Sequence, residues 1–539
     1  MCRRSFITLA IALSASRVAA QTTAVTHREP SLVVLIAIDQ MRADYLDRFG
    51  AQFTGGLARL RRDGMVYMGG LQDHATTETA PGHSTMLSGR EPAHTGIVLN
   101  DLGVPDPSTS ILGAPRAAGA SPARFRGTTL ADWLIARDPD TRILAVSRKD
   151  RGAILPVGRA RGNVYWFVGG KFTTSTYYAD TLPSWVRAYD ARPGVGALAG
   201  TTWTLLRPAS DYAEPDSEPW EHDGSDIAFP HRLPSTADSI ASRIAGYPWM
   251  DSLTLDFALE GGRQLQLGER GHPDLLVISL STTDAIGHAF GPDSREIHDQ
   301  LLRVDHWLGW FFDSLATRVP RDRMVVALTG DHGVTSIPEY NVAVRHRPAG
   351  RVSLDEIARR VNDALMARYQ VDFGVRVSGG LVLGDVPALR ARGVNVDSVS
   401  DAIAAAIRRR RGIAHAYTPR SLRTASGAAA VRWRRTLPSD FPWLACAAVT
   451  PEWVWSNGKS LGADHGQMNA EDLNVPIVFM GPGIAPGRVA RAVRTVDIGP
   501  TLAAYLGLRP SEPVDGVVLR EVMRGTTASA TTADAAAPR

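Results

Sequence analysis

Five short apolar runs punctuate the chain: LVVLIAI at 32–38, RILAVS at 142–147, DLLVISL at 274–280, MVVALTG at 324–330 and VPIVFMG at 475–481. They are continuous rather than alternating, and rich in Val, Ile and Leu. That pattern predicts parallel strands buried on both faces. Helical periodicity lies between them. In 294–315, Ile297, Leu301, Leu302, Leu308, Phe311, Phe312 and Leu315 fall on one face of a 3.6-residue repeat. Strands alternating with helices predict an α/β fold: a three-layer α/β/α sandwich around a mostly parallel central sheet.

Two regions read as additions to that core. Residues 155–235 carry many aromatics among Gly and Pro, including Tyr165, Trp166, Phe172, Trp203 and Trp220. Residues 340–445 hold two amphipathic helices, the first opened by the capping pair Ser353 and Glu356. The chain of 539 residues is then read as one large domain over 30–520 with insertions at about 155–235 and 340–445. The low-complexity tail 526–539 reads as disordered.

Composition changes the picture in three places. Arg3 and Arg4 precede the apolar stretch SFITLAIALSAS, and Val18 and Ala20 precede Gln21. Residues 1–20 therefore read as a secretory signal, too short to span a bilayer, and the mature protein is expected to be secreted or periplasmic without stable membrane insertion. Removing that segment takes away Arg3, Arg4 and Arg17 and no acid, so the formal charge of +4 falls to +1. No nucleic-acid partner is expected on that charge, and the run Arg408–Arg411 reads as a solvated helix end. Cys2 leaves with the signal, so Cys446 stands alone without an intrachain disulfide, in an apolar stretch that predicts burial. Finally, among 59 basic side chains only Lys149, Lys171 and Lys459 are lysines. Lys149 then invites a specific explanation.

Three of the predicted strands lead into an aspartate: Asp39, Asp284 and Asp331. The carboxyl ends of parallel strands share one edge, where ligands bind. Three acids gathered there repel one another unless polar partners or a cation intervene. Histidines accompany them. His288 follows Asp284 by four residues, His332 follows Asp331 directly, and a second D-H-G supplies His465. Imidazole with carboxylate is the ligand mix of a catalytic zinc site. The stretch ETAPGHSTMLSG, 78–89, places Thr79 at or just before a helix start, with Pro81 in the first turn. Thr79 could cap that helix. Beside a zinc ion it could instead be a nucleophile.

This ordered set resembles the alkaline phosphatase superfamily: a strand-end Asp, T-x-P-x-H, D-x-x-x-H followed by G-P, and two D-H-G motifs. It is most similar to the secreted branch with a threonine nucleophile, sister to the nucleotide pyrophosphatase/phosphodiesterases. The resemblance implies two zinc ions. Asp39, Asp331, His332 and Thr79 would meet one, and Asp284, His288 and His465 the other. Sulfatases share the fold but carry Cys or Ser in C/S-x-P-x-R, whereas this chain has Thr79 and His83. His83 is expected to shape the loop rather than to bind metal.

Substrate class turns on charge. A monoester carries nearly two negative charges and calls for extra cationic donors. Lys149 and Arg151, two apart, are expected on one side of an extended segment and resemble the K-x-R element of the monoesterase subgroup. Asn100 resembles a phosphate-contacting Asn of both subgroups. The resemblance therefore implies a zinc-dependent alkaline phosphatase that hydrolyses small phosphate monoesters through a phosphothreonine, with activity rising toward alkaline pH. A type I phosphodiesterase using the same metals is the alternative.

Overall fold

The strand Leu32–Ile38 (β1) sits at the middle of the central sheet. In the computed structural model, which describes residues 29–370, 372–456 and 462–523, all seven of its residues are buried. Leu32, Val34, Ile36 and Ile38 enter one apolar core, while Val33, Leu35 and Ala37 enter another. That strict alternation between two cores is what a strand covered on both faces requires. The segments at 1–20 and 526–539 and Lys459 lie outside the described residues.

The remaining strands of this sheet are Met65–Leu71 (β2), Ile143–Ser147 (β3), Asn163–Val168 (β4), Lys171–Thr173 (β5), Asp274–Leu280 (β6), Met324–Thr329 (β7), Ile477–Met480 (β8) and Gly487–Arg494 (β9). Their spatial order is β9-β2-β8-β7-β1-β6-β3-β4-β5. β1 pairs in parallel with β6 (Leu32 opposite Asp274) and with β7 (Leu32 opposite Met324), and β3 pairs in parallel with β6 and β4. The carboxyl ends of β1, β3, β6 and β7 therefore open onto one edge.

The structure departs from the sequence reading at three points. First, the run at 475–481 is a strand, but β8 runs antiparallel to β7 and β2. It starts opposite Thr329, at the carboxyl edge, because the chain turns straight back from the loop carrying His465 without a crossover helix. Second, residues 155–235 do not all lie beside the sheet, since β4 and β5 extend its edge. Third, β2 and β9 escape the apolar pattern: β2 contains Gly69 and Gly70, and β9 carries Arg488, Arg491 and Arg494 along a largely exposed edge.

Five helices matter below: Thr79–Met86 (α1), Thr282–Phe290 (α2), Arg295–Ala316 (α3), Leu354–Tyr369 (α4) and Val396–Arg408 (α5). α3 buries Ile297, Leu301, Leu308, Phe311 and Phe312 against the first core, and Ser294 caps it by accepting from the Ile297 amide. α4 and α5 belong to a separate layer built on four antiparallel strands, Arg376–Ser378, Leu381–Leu383, Ala445–Val449 and Ile413–Tyr417, with its own core. Cys446, a buried free thiol, packs instead in the apolar cluster of Leu381, Leu383 and Trp433. One hairpin tip of this layer, Gly379–Gly380, reaches the loop before α1. A Cβ on Gly379 would lie 2.9 Å from Glu78 Oε1, and its φ of +52° also favours glycine. No described helix is long and apolar enough to cross a membrane.

Candidate active site

The sheet edge delivers the predicted residues to one place. Asp39 follows β1 directly, Asp331 follows β7 by two residues, and Asp284 sits in the first turn of α2 just after β6. All three are buried. Lys149 follows β3 and projects between them. Its Nζ lies 2.5 Å from Asp39 Oδ2, 2.6 Å from Asp284 Oδ2 and 3.2 Å from Thr79 Oγ1.

Thr79 is the first residue of α1, and Glu78 before it makes no side-chain cap. The capping alternative for Thr79 therefore has no support: the contact of its hydroxyl is with the Lys149 ammonium. α1 closes tightly on the sheet edge. A Cβ at Gly82 would meet Asp331 O at 2.1 Å. His83 links the same elements, with Nε2 2.8 Å from Ser279 Oγ and Nδ1 2.9 Å from Thr79 O and 3.1 Å from Asp331 Oδ2. Both partners of Nδ1 only accept, so Nδ1 carries the proton.

The other three histidines share one design. His332 Nδ1 donates to Gly333 O (2.9 Å), His288 Nδ1 to Ala463 O (2.9 Å) and His465 Nδ1 to Thr77 O (2.7 Å). Carbonyl oxygens only accept, so each proton is fixed on Nδ1 and each Nε2 lone pair points inward. The two Nε2 atoms of His288 and His465 are 3.1 Å apart, and each lies within 3.4 Å of Asp284 Oδ1. Two lone pairs and a carboxylate oxygen at that spacing require a proton or a cation among them. On the other side, His332 Nε2 lies 3.4 Å from Asp39 Oδ1, and both atoms are buried without a hydrogen bond. Orphaned buried acceptors of this kind are costly unless a cation satisfies them.

Electrostatics agree with that geometry. Burial, then the neighbouring Asp284 and Asp331, push the Asp39 carboxyl up. Burial alone would raise Asp284 too, but Lys149 and the imidazoles hold it well below the ordinary carboxylate range. Burial, then His465, keep His332 far below the usual imidazole value, so it is neutral and able to ligate. Donor atoms of Asp39, Asp331 and His332 all lie within 4.8 Å of one another, as do those of Asp284, His332 and His465, and of His288, Asp464 and His465. The donor set suits metal binding.

Two predicted phosphate contacts are placed differently from each other. The Asn100 Oδ1 accepts from the Ala80 amide at 2.8 Å, so the carboxamide is oriented with its NH₂ as the remaining donor. Glu78 Oε2 accepts from the Asn100 amide at 2.7 Å and anchors that turn. Arg151 departs from expectation. It is not in an extended segment with Lys149, because the chain turns at Lys149 into the short helix Asp150–Ile154. Arg151 leaves on that helix, pairs with Asp150 at 3.7 Å, and acts electrostatically on Glu78.

Comparison with known proteins agrees with this edge. The sequence profile of the family described as Type I phosphodiesterase / nucleotide pyrophosphatase matches residues 33–466. The chain belongs to that family, a branch of the alkaline phosphatase superfamily. Alkaline phosphatase PhoV of Synechococcus elongatus is 30% identical over 93% of this chain and 94% of its own. A Myroides odoratus protein named calcium-transporting ATPase is 30% identical over 89% and 92%. Alkaline phosphatase PafA of Elizabethkingia meningoseptica is 27% identical over 96% and 98%. The crystal structure of wild-type PafA matches with a TM-score of 0.83, covering 92% of this chain and 99% of that one.

Within this superfamily member, the tertiary structure adds residues that sequence reasoning passed over. Gln40 has φ +63°, donates its amide to Asp331 Oδ1 (3.0 Å), and donates Nε2 to Asp284 Oδ1 (3.1 Å). Its position directly after a strand-end Asp is the signal that was available. Asp464, within the second D-H-G stretch, adds a carboxylate whose Oδ1 accepts from the His465 amide.

The Gly82 contact gives a first test. Gly82→Ala is expected to destabilise the fold by about 1–3 kcal/mol, since a methyl group must displace the Asp331 backbone. Thermal melts and steady-state kinetics should show a lower Tm together with a lower kcat. An unchanged Tm would mean that α1 does not pack on Asp331 as described.

Proposed function

We propose that this chain is a secreted, zinc-dependent alkaline phosphatase that hydrolyses small phosphate monoesters through a phosphothreonine at Thr79. The observation that carries the reading is the Lys149 ammonium, 3.2 Å from Thr79 Oγ1 and set among three buried aspartates. A cation beside the nucleophile suits a dianionic phosphoryl group. Relatives matching along nearly the whole chain are named alkaline phosphatases. A solved PafA variant replaces one threonine, one asparagine, one lysine and one arginine together. The same four residue types occur here as Thr79, Asn100, Lys149 and Arg151.

Asp39, Asp331 and His332, next to Thr79, would hold one ion. Asp284, His288 and His465 would hold the other. When bound, zinc there supplies Lewis acidity, favouring the deprotonated threonine and stabilising charge on the departing oxygen. The chain's own residues set the rest. Thr79 Oγ attacks phosphorus in line, the new P–Oγ bond replaces the bond to the leaving oxygen, and the alcohol departs. Water then attacks the phosphothreonine, releasing inorganic phosphate and restoring the hydroxyl. Lys149 and the Asn100 NH₂ donate to non-bridging oxygens, and Arg151 adds positive potential at the mouth. His83 holds α1 and Asp331 in fixed relation through both steps.

The family profile's own description favours a second reading, a type I phosphodiesterase on the same metals. Comparing p-nitrophenyl phosphate with bis-p-nitrophenyl phosphate on metal-analysed protein separates the two. Replacing both Lys149 and Arg151 by Ala is expected to reduce monoester hydrolysis on the order of 10²-fold more than diester hydrolysis. Equal losses on both substrates would favour the phosphodiesterase.

A further inference from the structure

The cap carries a cavity that the chemistry above does not use. α4 and α5 leave between them a groove of about 860 Å³. Its floor is Ile357, Val361 and Leu365 from α4 with Val399, Ile403 and Ile407 from α5. Along its sides stand Ala364, Ala402 and Ala406, small residues exposed to solvent, so no bulky side chain fills it.

Charge is distributed unevenly along the groove. Glu356, near the start of α4, pairs with Arg410, just past the end of α5, at 2.8 Å. The two helices thus bring opposite termini together at that end. Arg360, Arg409, Arg410 and Arg411 all line it, with Arg411 over the Trp453 ring at 5.3 Å. Among the described lining residues, Glu356 is the one carboxylate, and it is already shared between Arg360 and Arg410. The other end holds Arg368, Tyr369 and Ser398.

We propose that this groove binds a single-chain anionic amphiphile. The alkyl chain lies along the apolar floor, and the acidic head sits among Arg409, Arg410 and Arg411. From Ile357 to Leu365 the floor runs about 12 Å along the helix axis. The volume is in the range of small-molecule sites rather than of a flat docking patch. The arginine end repels cationic chains, and it equally opposes the apolar 1–20 segment, which carries Arg3, Arg4 and Arg17. The inference does not rest on the phosphatase reading, because no residue of the sheet-edge site lines the groove.

The test is calorimetric titration of the metal-loaded protein with monomeric sodium dodecanoate. Saturable one-to-one binding is expected, tightening about two- to fourfold per methylene from octanoate to dodecanoate. Ala402→Trp, which fills the groove from an exposed position, and the pair Arg409→Glu with Arg411→Glu should each weaken it at least tenfold. Hydrolysis of a small monoester should be unchanged in both. Dodecyltrimethylammonium should give no saturable heat. Absence of saturable dodecanoate binding, equal binding in the variants, or equal binding of the cationic chain would overturn the proposal. So would co-sedimentation with anionic vesicles by protein that ignores monomeric dodecanoate. Should Ala402→Trp fail to fold, the arginine pair and the chain-length series still decide.

Discussion

Thr79→Ala is expected to lower phosphate-monoester turnover on the order of 10⁴-fold or more, while zinc content stays near that of the unaltered protein. The size follows from what the side chain does in the proposed mechanism. Thr79 supplies the attacking oxygen, and its removal leaves only direct attack by water in a site shaped for a covalent step. The small effect on metal content follows from the donor set. Asp39, Asp331 and His332 still converge, with His332 Nδ1 held by Gly333 O. Thr79→Ser, which keeps a hydroxyl at the first position of α1, should recover a large part of the rate. Single-turnover kinetics with metal analysis would check both variants. An alanine variant that kept most of its activity would remove Thr79 as nucleophile.

Stripping the protein of divalent ions should have an effect of comparable size. Activity is expected to fall at least 10²-fold on chelation and to return with zinc. The melting temperature should fall with it, because the site holds three buried carboxylates with one ammonium, Lys149, as the cation bridging two of them. His332 Nε2 and Asp39 Oδ1 are also buried without a hydrogen-bond partner, which a bound cation would satisfy. Zinc should restore both activity and Tm, and calcium should not, since imidazole is a poor ligand for calcium. Full activity in chelated protein of verified metal content would refute the metal-dependent mechanism. Unchanged Tm with lost activity would locate the ions outside the buried cluster.

Several features were legible in the sequence because they depend on local pattern. Burial on both faces forces continuous apolar runs, so β1, β3, β6 and β7 could be read directly. The acids that follow three of these runs then point to one sheet edge, given only that parallel strands end together. Helical spacing from Ile297 to Leu315 marked α3, whereas its Ser294 cap came from the structure. Strand direction was different. The run at 475–481 reads the same forwards and backwards, and only the short path from His465 to Ile477 decides that β8 returns antiparallel. β9 was hidden because an edge strand needs no apolar face, and its arginines look like a surface loop.

The sequence by itself marked the side chains proposed for the chemistry, Asp39, Thr79, Asp284, His288, Asp331, His332 and His465, through motif spacing, with Asp39, Asp284 and Asp331 just after strands. Tertiary structure decided what those groups face. It fixed the Nδ1 protons of His288 and His465 on carbonyls of other loops and that of His332 on the neighbouring Gly333, aimed Lys149 at the hydroxyl, and turned Arg151 onto a short helix near Glu78. It also bent Gln40 back to hold Asp331 and Asp284. Such contacts join residues up to 388 positions apart. They arise from packing of separate elements across one edge, a distance over which no local periodicity carries information.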